Sequence, residues 1–298
     1  MPDGLLDLLL LLERTLVGRI ATYTLTLLAL LPGASPAGPA VTTGEPSRWE
    51  WEGVPRVVAV GDVHGSPGHL ILILKSAGLL DANLAWMGGA SHLVLNGDLI
   101  DRGSNDRSVL DLARRLQSEA RAAGGRVHVV LGNHEGMNLD GNLRYVSKES
   151  FAEFVDLEKQ SDRNKAWLAF KNGYRRDQIL LLRKAFDERH PPGYFGRLRS
   201  LSPDGEYGSW LLMQPAAIKI NGIVFVHGGL TPKTAAMGLD GINASVHRAL
   251  RTGNRPDDWN QGPLWYRGNA LQNERIERVP LAQVLESLDA RVLVVAHT

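Results

Sequence analysis

The sequence predicts an α/β fold in which two β-sheets pack face to face and helices cover both outer faces. In the first half, short apolar runs alternate with helical segments, an order typical of parallel strands with right-handed crossovers. In the second half, the turn signal Asn221-Gly222 joins two apolar runs, which indicates antiparallel pairing in a second sheet. Residues 139–207 interrupt this rhythm, and we expect them to form an inserted helical cap.

The predicted elements of the first half begin at the end of a polar, Pro- and Gly-punctuated linker, residues 41–55. The folded domain is predicted over residues 56–298. Apolar runs predict buried strands, and Pro67 fits the first turn of a helix. We expect strands at 56–60, 92–95 and 127–131, and helices at 67–77 and about 105–123.

The predicted elements of the second half are two cap helices, a second sheet and two further helices. We expect helices at 151–170, at 178–188 and twice within 242–288, and strands at 208–214, 217–220, 223–226 and 292–295. The cap is rich in cations, which we expect to lie on solvated helix faces: Lys171, Arg175, Arg176, Arg183, Lys184, Arg197 and Arg199.

The N-terminal segment, residues 1–40, resembles an export signal. From about Val17 onward, an arginine, an apolar run and small residues suited to a cleavage site follow one another. We therefore expect a mis-started N-terminus, with residues 1–16 preceding a true start near Val17, and a periplasmic or secreted product; a cytoplasmic protein is the alternative. The apolar run is shorter than the roughly 20 residues of a spanning helix, so no stable membrane span is expected.

Composition narrows the chemistry. The 298 residues suffice for a single core, and a formal charge of +1 gives no argument for a nucleic-acid partner. The chain has no cysteine, which excludes disulfides and zinc–thiolate sites. A metal ion would therefore bind His, Asp, Asn or Glu side chains.

Five apolar runs each end in side chains of metal-ligand type. In sheets of this kind, ligands gather beyond the carboxyl ends of the strands. We expect these side chains to hold two adjacent divalent ions with one bridging carboxylate. Asp62 and His64 would face the first ion, Asp98 would bridge, and Asn133, His227 and His297 would complete the second.

Three further residues fit roles in phosphoryl chemistry. If Asn133 is a ligand, its neighbour His134 is free for proton transfer, and Asp101 could hold the His134 imidazole protonated. Arg102 offers a planar fork of donors for phosphate oxygens. Glu135 is interpreted as structural. Asn138 and Tyr145 could line the pocket or serve only in packing, and both roles stay open. The remaining histidines are expected at surface or packing positions: His69, His92, His128, His190 and His247.

These segments, in this order, resemble the phosphoprotein phosphatase branch of the calcineurin-like metallophosphoesterases. The family motifs GDxHG, GDxxDRG, GNHE and HGG correspond to residues 61–65, 97–103, 132–135 and 227–229, and a final histidine to His297. Residues 132–138, 225–230 and 263–267 look like the bacterial-type Shewanella-like protein phosphatases. The resemblance implies the α/β/β/α metallophosphoesterase sandwich.

The resemblance also implies a reaction. It implies phosphate-monoester hydrolysis on phosphoproteins or phosphopeptides by direct attack of a metal-bound hydroxide. Mn²⁺ would be the first expectation in vitro, with Fe and Zn as alternatives. His134 and Asp101 would be the general acid pair, and Arg102, Asn133 and Arg267 would contact phosphate. Alternatives are a phosphodiesterase, a dinucleoside polyphosphate hydrolase and, from another class, a non-catalytic binding protein.

The chain departs from the family pattern at its end. A ligand one residue from the terminus lacks the supporting segments that a metal site needs, so we expect the natural protein to continue beyond Thr298. The oligomeric state stays open.

Overall fold

The structure is a computed structural model that describes residues 27–30, 48–175 and 178–297. Among these residues, no helix combines the length and apolarity needed to span a bilayer. Most of the predicted export signal, residues 1–40, lies outside the described residues. Its residues 27–30 are described as backbone only, in an antiparallel edge strand.

The described strands form two four-stranded sheets. The first sheet has the order β1-β3-β4-β5, in which β3, β4 and β5 run parallel. The second has the order β2-β6-β7-β8, in which β6 and β7 form the predicted antiparallel hairpin. The bounds are β1 (Leu27–Leu30), β2 (Glu50–Trp51), β3 (Val57–Val60), β4 (His92–Leu95), β5 (Arg126–Val129), β6 (Ala217–Ile220), β7 (Ile223–Val226) and β8 (Val292–Val294).

The described helices all lie between β3 and β8 in the chain, and four of them lie wholly within the cap insertion, residues 139–207. Short 3-10 turns occur at Val155–Leu157 and Trp259–Gln261. The helix bounds are α1 (Pro67–Ser76), α2 (Asp106–Ala122), α3 (Asn133–Leu139), α4 (Lys148–Ala152), α5 (Gln160–Phe170), α6 (Ile179–Arg189), α7 (Tyr194–Leu201), α8 (Glu206–Leu211), α9 (Pro232–Ala235), α10 (Gly238–Thr252), α11 (Gly268–Leu271) and α12 (Glu274–Ser287).

Three buried clusters create the predicted four layers. Because strand side chains alternate between faces, Ala59 and Val94 point from the first sheet towards Phe225 of the second, and this cluster fills the centre of the sandwich. Val58 and Leu93 face the other way, among the residues that join the first sheet to α1 and α2. A third cluster joins the second sheet to α10 and α12. The predicted sandwich with flanking helices is therefore confirmed.

Two predicted elements were wrong. The apolar segment 208–214 is not a strand: residues 206–211 form α8, because Tyr207, Trp210 and Leu211 pack at helical spacing into the core beside the first sheet. The single helix predicted at 151–170 is divided into α4, a 3-10 turn and α5. In addition, Glu50–Trp51 pairs with β6, so the segment predicted as a linker contributes a strand to the second sheet.

Candidate active site

The carboxyl ends of β3, β4, β5 and β7 converge on one carboxylate, that of Asp98. Asp98 is 1% exposed, and its Oδ2 lies 3.2 Å from His227 Nε2, 3.8 Å from His134 Nε2 and 3.9 Å from His64 Nε2. The backbone of the Asp98 loop also accepts hydrogen bonds from the amides of Val63 and His64. Asp98, the residue expected to bridge two ions, therefore lies at the centre of this cluster.

The loop around Asp98 has a backbone that few sequences tolerate. Gly97 has φ +87°, and a Cβ there would lie 2.5 Å from His227 Nδ1. Asp98 and Asp101 themselves have φ +52° and +70°, in the left-handed region that ordinary side chains avoid. Non-glycine residues persist in such conformations where surrounding contacts fix them, often at functional sites.

Glu135 supplies those surrounding contacts. It is fully buried, and its carboxylate accepts hydrogen bonds from the amides of Asp98 at 2.9 Å, Leu99 at 2.8 Å and Gly132 at 2.8 Å. One side chain thus joins the two loops that follow β4 and β5. Burial and the nearby Asp98 charge raise the pKa of Glu135 to about 7. This agrees with the structural interpretation of Glu135.

The imidazoles of His64 and His227 are oriented by backbone carbonyls. His64 Nδ1 lies 3.0 Å from the oxygen of Ile100, and His227 Nδ1 lies 2.9 Å from that of Asn96. A carbonyl oxygen can only accept, so Nδ1 donates in both rings and Nε2 is the ring nitrogen that faces Asp98. This is the arrangement in which proteins hold metal-binding histidines.

Two groups of donor atoms around Asp98 are close enough to hold metal ions. One consists of His64, Asp98 and His134, the other of Asp98, His227 and His297, and within each group the donor atoms lie within 4.8 Å of one another. Asp98 belongs to both. Imidazole and carboxylate donors of this kind suit divalent ions such as Mn, Fe and Zn. The residues present therefore fit a two-ion centre.

The other predicted ligands lie around the same centre. Asp62 Oδ2 is 3.8 Å from His64 Nε2, and Asn133 Oδ1 is 3.0 Å from His227 Nε2. Burial opposes protonation of His227, but the charges of Asp98 and Asp62 raise its pKa to about 9. The cluster thus attracts a positive charge. His297 lies with its ring 5.0 Å from that of His227, and burial lowers its pKa to about 3.

His134 and Asp101 form a buried pair beside this centre. His134 Nδ1 donates to Asp101 Oδ2 at 2.7 Å, and the exposures are 1% and 0%. Burial opposes protonation of His134, but the hydrogen bond to Asp101 and the charges of Asp98 and Asp101 outweigh it, so the pKa of His134 is raised. The side chain can therefore carry a second proton on Nε2, on the side of Asp98.

The two predicted phosphate-binding arginines lie at the rim. Arg102 is exposed, and its guanidinium is 6.0 Å from the ring of Tyr145, which in turn lies 5.2 Å from that of His134. Arg267 is also exposed, and its positive charge is among the causes of the lowered pKa of His297. One exposed arginine thus lies near each end of the cluster. Tyr145 lines the opening, which is one of the two roles that were left open for it.

The cap contributes a residue that the sequence interpretation missed. Arg197 of α7 is 0% exposed and pairs with Asp101 and Asp106, so the expectation of a solvated face was wrong for it. Arg183 and Arg199 are at least partly solvated, as expected. Arg176 lies outside the described residues. Asn138 is buried too, and its amide donates to Asp101 at 2.9 Å, so it supports the pair rather than lining the pocket.

Comparison with known proteins identifies similar chains. Residues 55–298 match the family model described as calcineurin-like phosphoesterase. The chain is 29% identical over 260 residues to Shewanella-like protein phosphatase 1 of Plasmodium berghei, covering 84% of this chain and 62% of that protein. It is 33% identical over 198 residues to Shewanella-like protein phosphatase 2 of Arabidopsis thaliana, covering 64% and 50%. The chain therefore spans less than two thirds of these relatives.

A solved structure shares the fold. The crystal structure of a cold-active protein-tyrosine phosphatase from a psychrophilic Shewanella superposes with a TM-score of 0.63 at 28% identity, covering 85% of this chain and 68% of that one.

Proposed function

Since this chain belongs to the calcineurin-like phosphoesterase family, we propose that it is a dinuclear metal-dependent phosphatase that hydrolyses phosphate monoesters on proteins or peptides. The observation that carries the proposal is the place of Asp98, which is shared by two groups of buried donor atoms. A shared carboxylate is what a pair of adjacent ions requires. The names of the relatives, protein phosphatases and a protein-tyrosine phosphatase, support a phosphorylated protein as substrate.

In the proposed reaction, two divalent ions would supply Lewis acidity and an activated water at this centre. Asp62, His64 and Asp98 would hold the first ion, and Asp98, Asn133, His227 and His297 the second. In the first set Asp62, whose Oδ2 lies 3.8 Å from His64 Nε2, takes the place of His134 in the donor group around Asp98. In the second set Asn133 joins the group through Oδ1, 3.0 Å from His227 Nε2. Mn²⁺ is the ion that we propose for assays in vitro.

The chain's own side chains would bind the phosphate and move one proton. Arg102 and Arg267, one near each end of the cluster, would bind the phosphate oxygens, together with the Asn133 amide. His134 would donate the Nε2 proton to the leaving oxygen, while Asp101 keeps the Nδ1–H oriented. The buried contacts of His134 hold its ring in one position, as proton transfer requires.

A panel of esters assayed with each metal ion tests the proposal. The panel contains phosphotyrosine, phosphoserine and phosphothreonine peptides, p-nitrophenyl phosphate, bis(p-nitrophenyl) phosphate and diadenosine tetraphosphate, each with Mn²⁺, Fe²⁺ or Zn²⁺. We expect hydrolysis of monoesters, including at least one phosphopeptide. Preferential hydrolysis of the diester or the dinucleotide would contradict it, and Asp98→Asn is the inactive control.

We also propose export to the periplasm or medium, on the basis of the signal-like segment before residue 40. N-terminal sequencing of natively expressed protein tests this. An N-terminus after residue 35 is expected, and an intact Met1 on a protein recovered from the cytoplasm would contradict it.

A further inference from the structure

Arg197 is a buried cation in the cap that is held by four hydrogen bonds and by an ion pair with Asp106. A guanidinium has five N–H donors in a fixed plane. Nε and one Nη2 proton bind Asn138 Oδ1 at 3.0 and 2.9 Å, and the other Nη2 proton binds Asp101 Oδ1 at 3.0 Å. Nη1 contacts Ser150 Oγ at 2.8 Å and Asp106 Oδ2 at 2.7 Å.

These contacts determine how Asp101 faces His134. Asp101 Oδ1 accepts from Arg197 and from Asn138, whereas Oδ2 accepts from His134 Nδ1 at 2.7 Å. With both oxygens occupied on opposite sides, the carboxylate cannot rotate without breaking bonds to charged groups. Its orientation therefore depends on Arg197.

The guanidinium itself is held in place from several sides. It lies 5.3 Å from the ring centre of the fully buried Phe154, and Arg197 has no solvent exposure. Asn138, which receives two of its bonds, also donates to the carbonyl of His134 at 3.0 Å. Arg197 is thus fixed by α2, α3 and α4 at once, and α7 passes that constraint to the Asp101 loop.

We propose that Arg197 is the positioning residue of the general acid, through which the cap holds Asp101 and hence His134 in their reactive orientation. This inference rests on the proposed phosphatase function. In the step concerned, the oxygen of a water molecule bonds to phosphorus and the bond from phosphorus to the leaving oxygen breaks. The leaving oxygen takes the Nε2 proton of His134, and the attacking water loses a proton to solvent. Arg197 touches neither substrate nor reacting atoms.

Leaving-group dependence separates this role from a merely structural one. A poor leaving group needs the proton from His134, whereas a good one leaves as an anion without it. Mispositioning the acid therefore slows hydrolysis of phenyl phosphate more than hydrolysis of 2,4-dinitrophenyl phosphate. A general loss of folded enzyme, of metal or of substrate affinity would slow both equally.

The experiment measures kcat and KM for these two esters, with Mn²⁺, in wild type and variants. Arg197→Lys keeps the charge but loses the planar fork. If the lysine variant folds poorly, the double variant Arg197→Met, Asp106→Asn replaces it. This variant removes both charges of the ion pair, so that the buried charge stays balanced. Arg199→Met is the matched control, since Arg199 lies on the same helix and forms a surface ion pair with Asp162. His134→Asn gives the limit for complete loss of the acid.

For Arg197→Lys we expect kcat on phenyl phosphate to fall at least about ten-fold, because small displacements of catalytic groups lower rates by factors of this size or more. On 2,4-dinitrophenyl phosphate we expect kcat to fall less than about three-fold, because this leaving group does not need the displaced acid. KM and metal content should be unchanged. Arg199→Met should match wild type. In the His134→Asn background, Arg197→Lys should have no further effect, because both act through one proton transfer.

Equal losses on both esters, no loss in a folded Arg197→Lys enzyme, or additive losses with His134→Asn would overturn the assignment. These outcomes differ from failure of the proposed function. If metal-loaded wild type hydrolyses neither ester, the phosphatase proposal fails and this inference fails with it. If His134→Asn shows the leaving-group dependence and neither Arg197 variant does, only the assignment of Arg197 is wrong.

Discussion

Replacing Glu135 by glutamine tests how the fold holds Asp98 in its left-handed conformation. The carboxylate accepts three amides, two on Oε2 and one, from Leu99, on Oε1. Glutamine retains one oxygen, and its best orientation keeps the two bonds on that side. The NH₂ group then faces the buried Leu99 amide, donor against donor, and that amide loses its partner.

The expected cost follows from these three bonds. Loss of a hydrogen bond to a charged group costs about 1.5–3 kcal/mol, and the other two bonds become neutral and weaker. Removal of a buried negative charge beside Asp98 offsets part of this. We therefore expect a loss of about 2–4 kcal/mol in unfolding free energy, which lowers Tm by roughly 5–15 °C for a domain of this size.

Thermal and urea unfolding of chelated protein at pH 8, where Glu135 is ionised, measures this loss. The exposed Glu274→Gln is the matched control and should unfold as wild type does. We also expect the metal affinity to fall about 10- to 100-fold, as for other residues that support metal ligands. A stability change below about 0.5 kcal/mol, the size typical of surface substitutions, would refute the role given to Glu135.

Three further predictions concern the acid, the rim and the base of the first sheet. His134→Asn should lower kcat roughly 10²–10⁴-fold while metal analysis gives wild-type content; equal loss of metal would contradict its role as acid. Arg102→Met should lower kcat/KM for phosphate monoesters about 10- to 100-fold and weaken inhibition by inorganic phosphate, because one hydrogen bond to a charged group is lost. Unchanged inhibition by phosphate would contradict the role given to Arg102. His128 Nε2 and His92 Nδ1 lie 3.0 Å apart, and burial lowers the pKa of His92 to about 4 and that of His128 to about 3. The contribution of these neutral rings to the stability of the fold is therefore complete above the pKa of about 6.5 that histidine has in the unfolded chain, and it is lost as the pH falls below that value. Between pH 7 and pH 5 the two histidines together should lower the free energy of unfolding by about 2–4 kcal/mol, measured by urea unfolding. A His92→Gln, His128→Gln protein whose unfolding free energy depends on pH as steeply as that of wild type would contradict this.

The parts of the fold that could be predicted are those that local pattern determines. The run His92–Leu95 is apolar enough to be buried on both faces, and its predicted bounds equal those of β4. The site was predictable for a related reason, since its residues follow strands directly and parallel strands bring their ends together. Asp98 and His227, 129 positions apart, meet within 3.2 Å because β4 and β7 end at the same edge.

The parts that could not be predicted depend on distant contacts. Residues 208–214 carry an apolar run that suits a strand or a helix, and packing of Trp210 against the core decides for the helix. Arg197 resembles the other cap arginines in sequence. Only the fold shows that Asp101, 96 positions away, and Asp106 face it, and a buried guanidinium requires such partners.

The central claim is that two metal ions share Asp98, and metal stoichiometry measured alongside activity tests it most directly. Chelated protein is titrated with Mn²⁺ while bound metal per chain and p-nitrophenyl phosphate hydrolysis are recorded together, with Asp98→Asn in parallel. The account predicts that activity is absent after chelation, rises to its maximum only as the second ion binds, and is lost in Asp98→Asn. Full activity with one ion per chain, or without any, would contradict it.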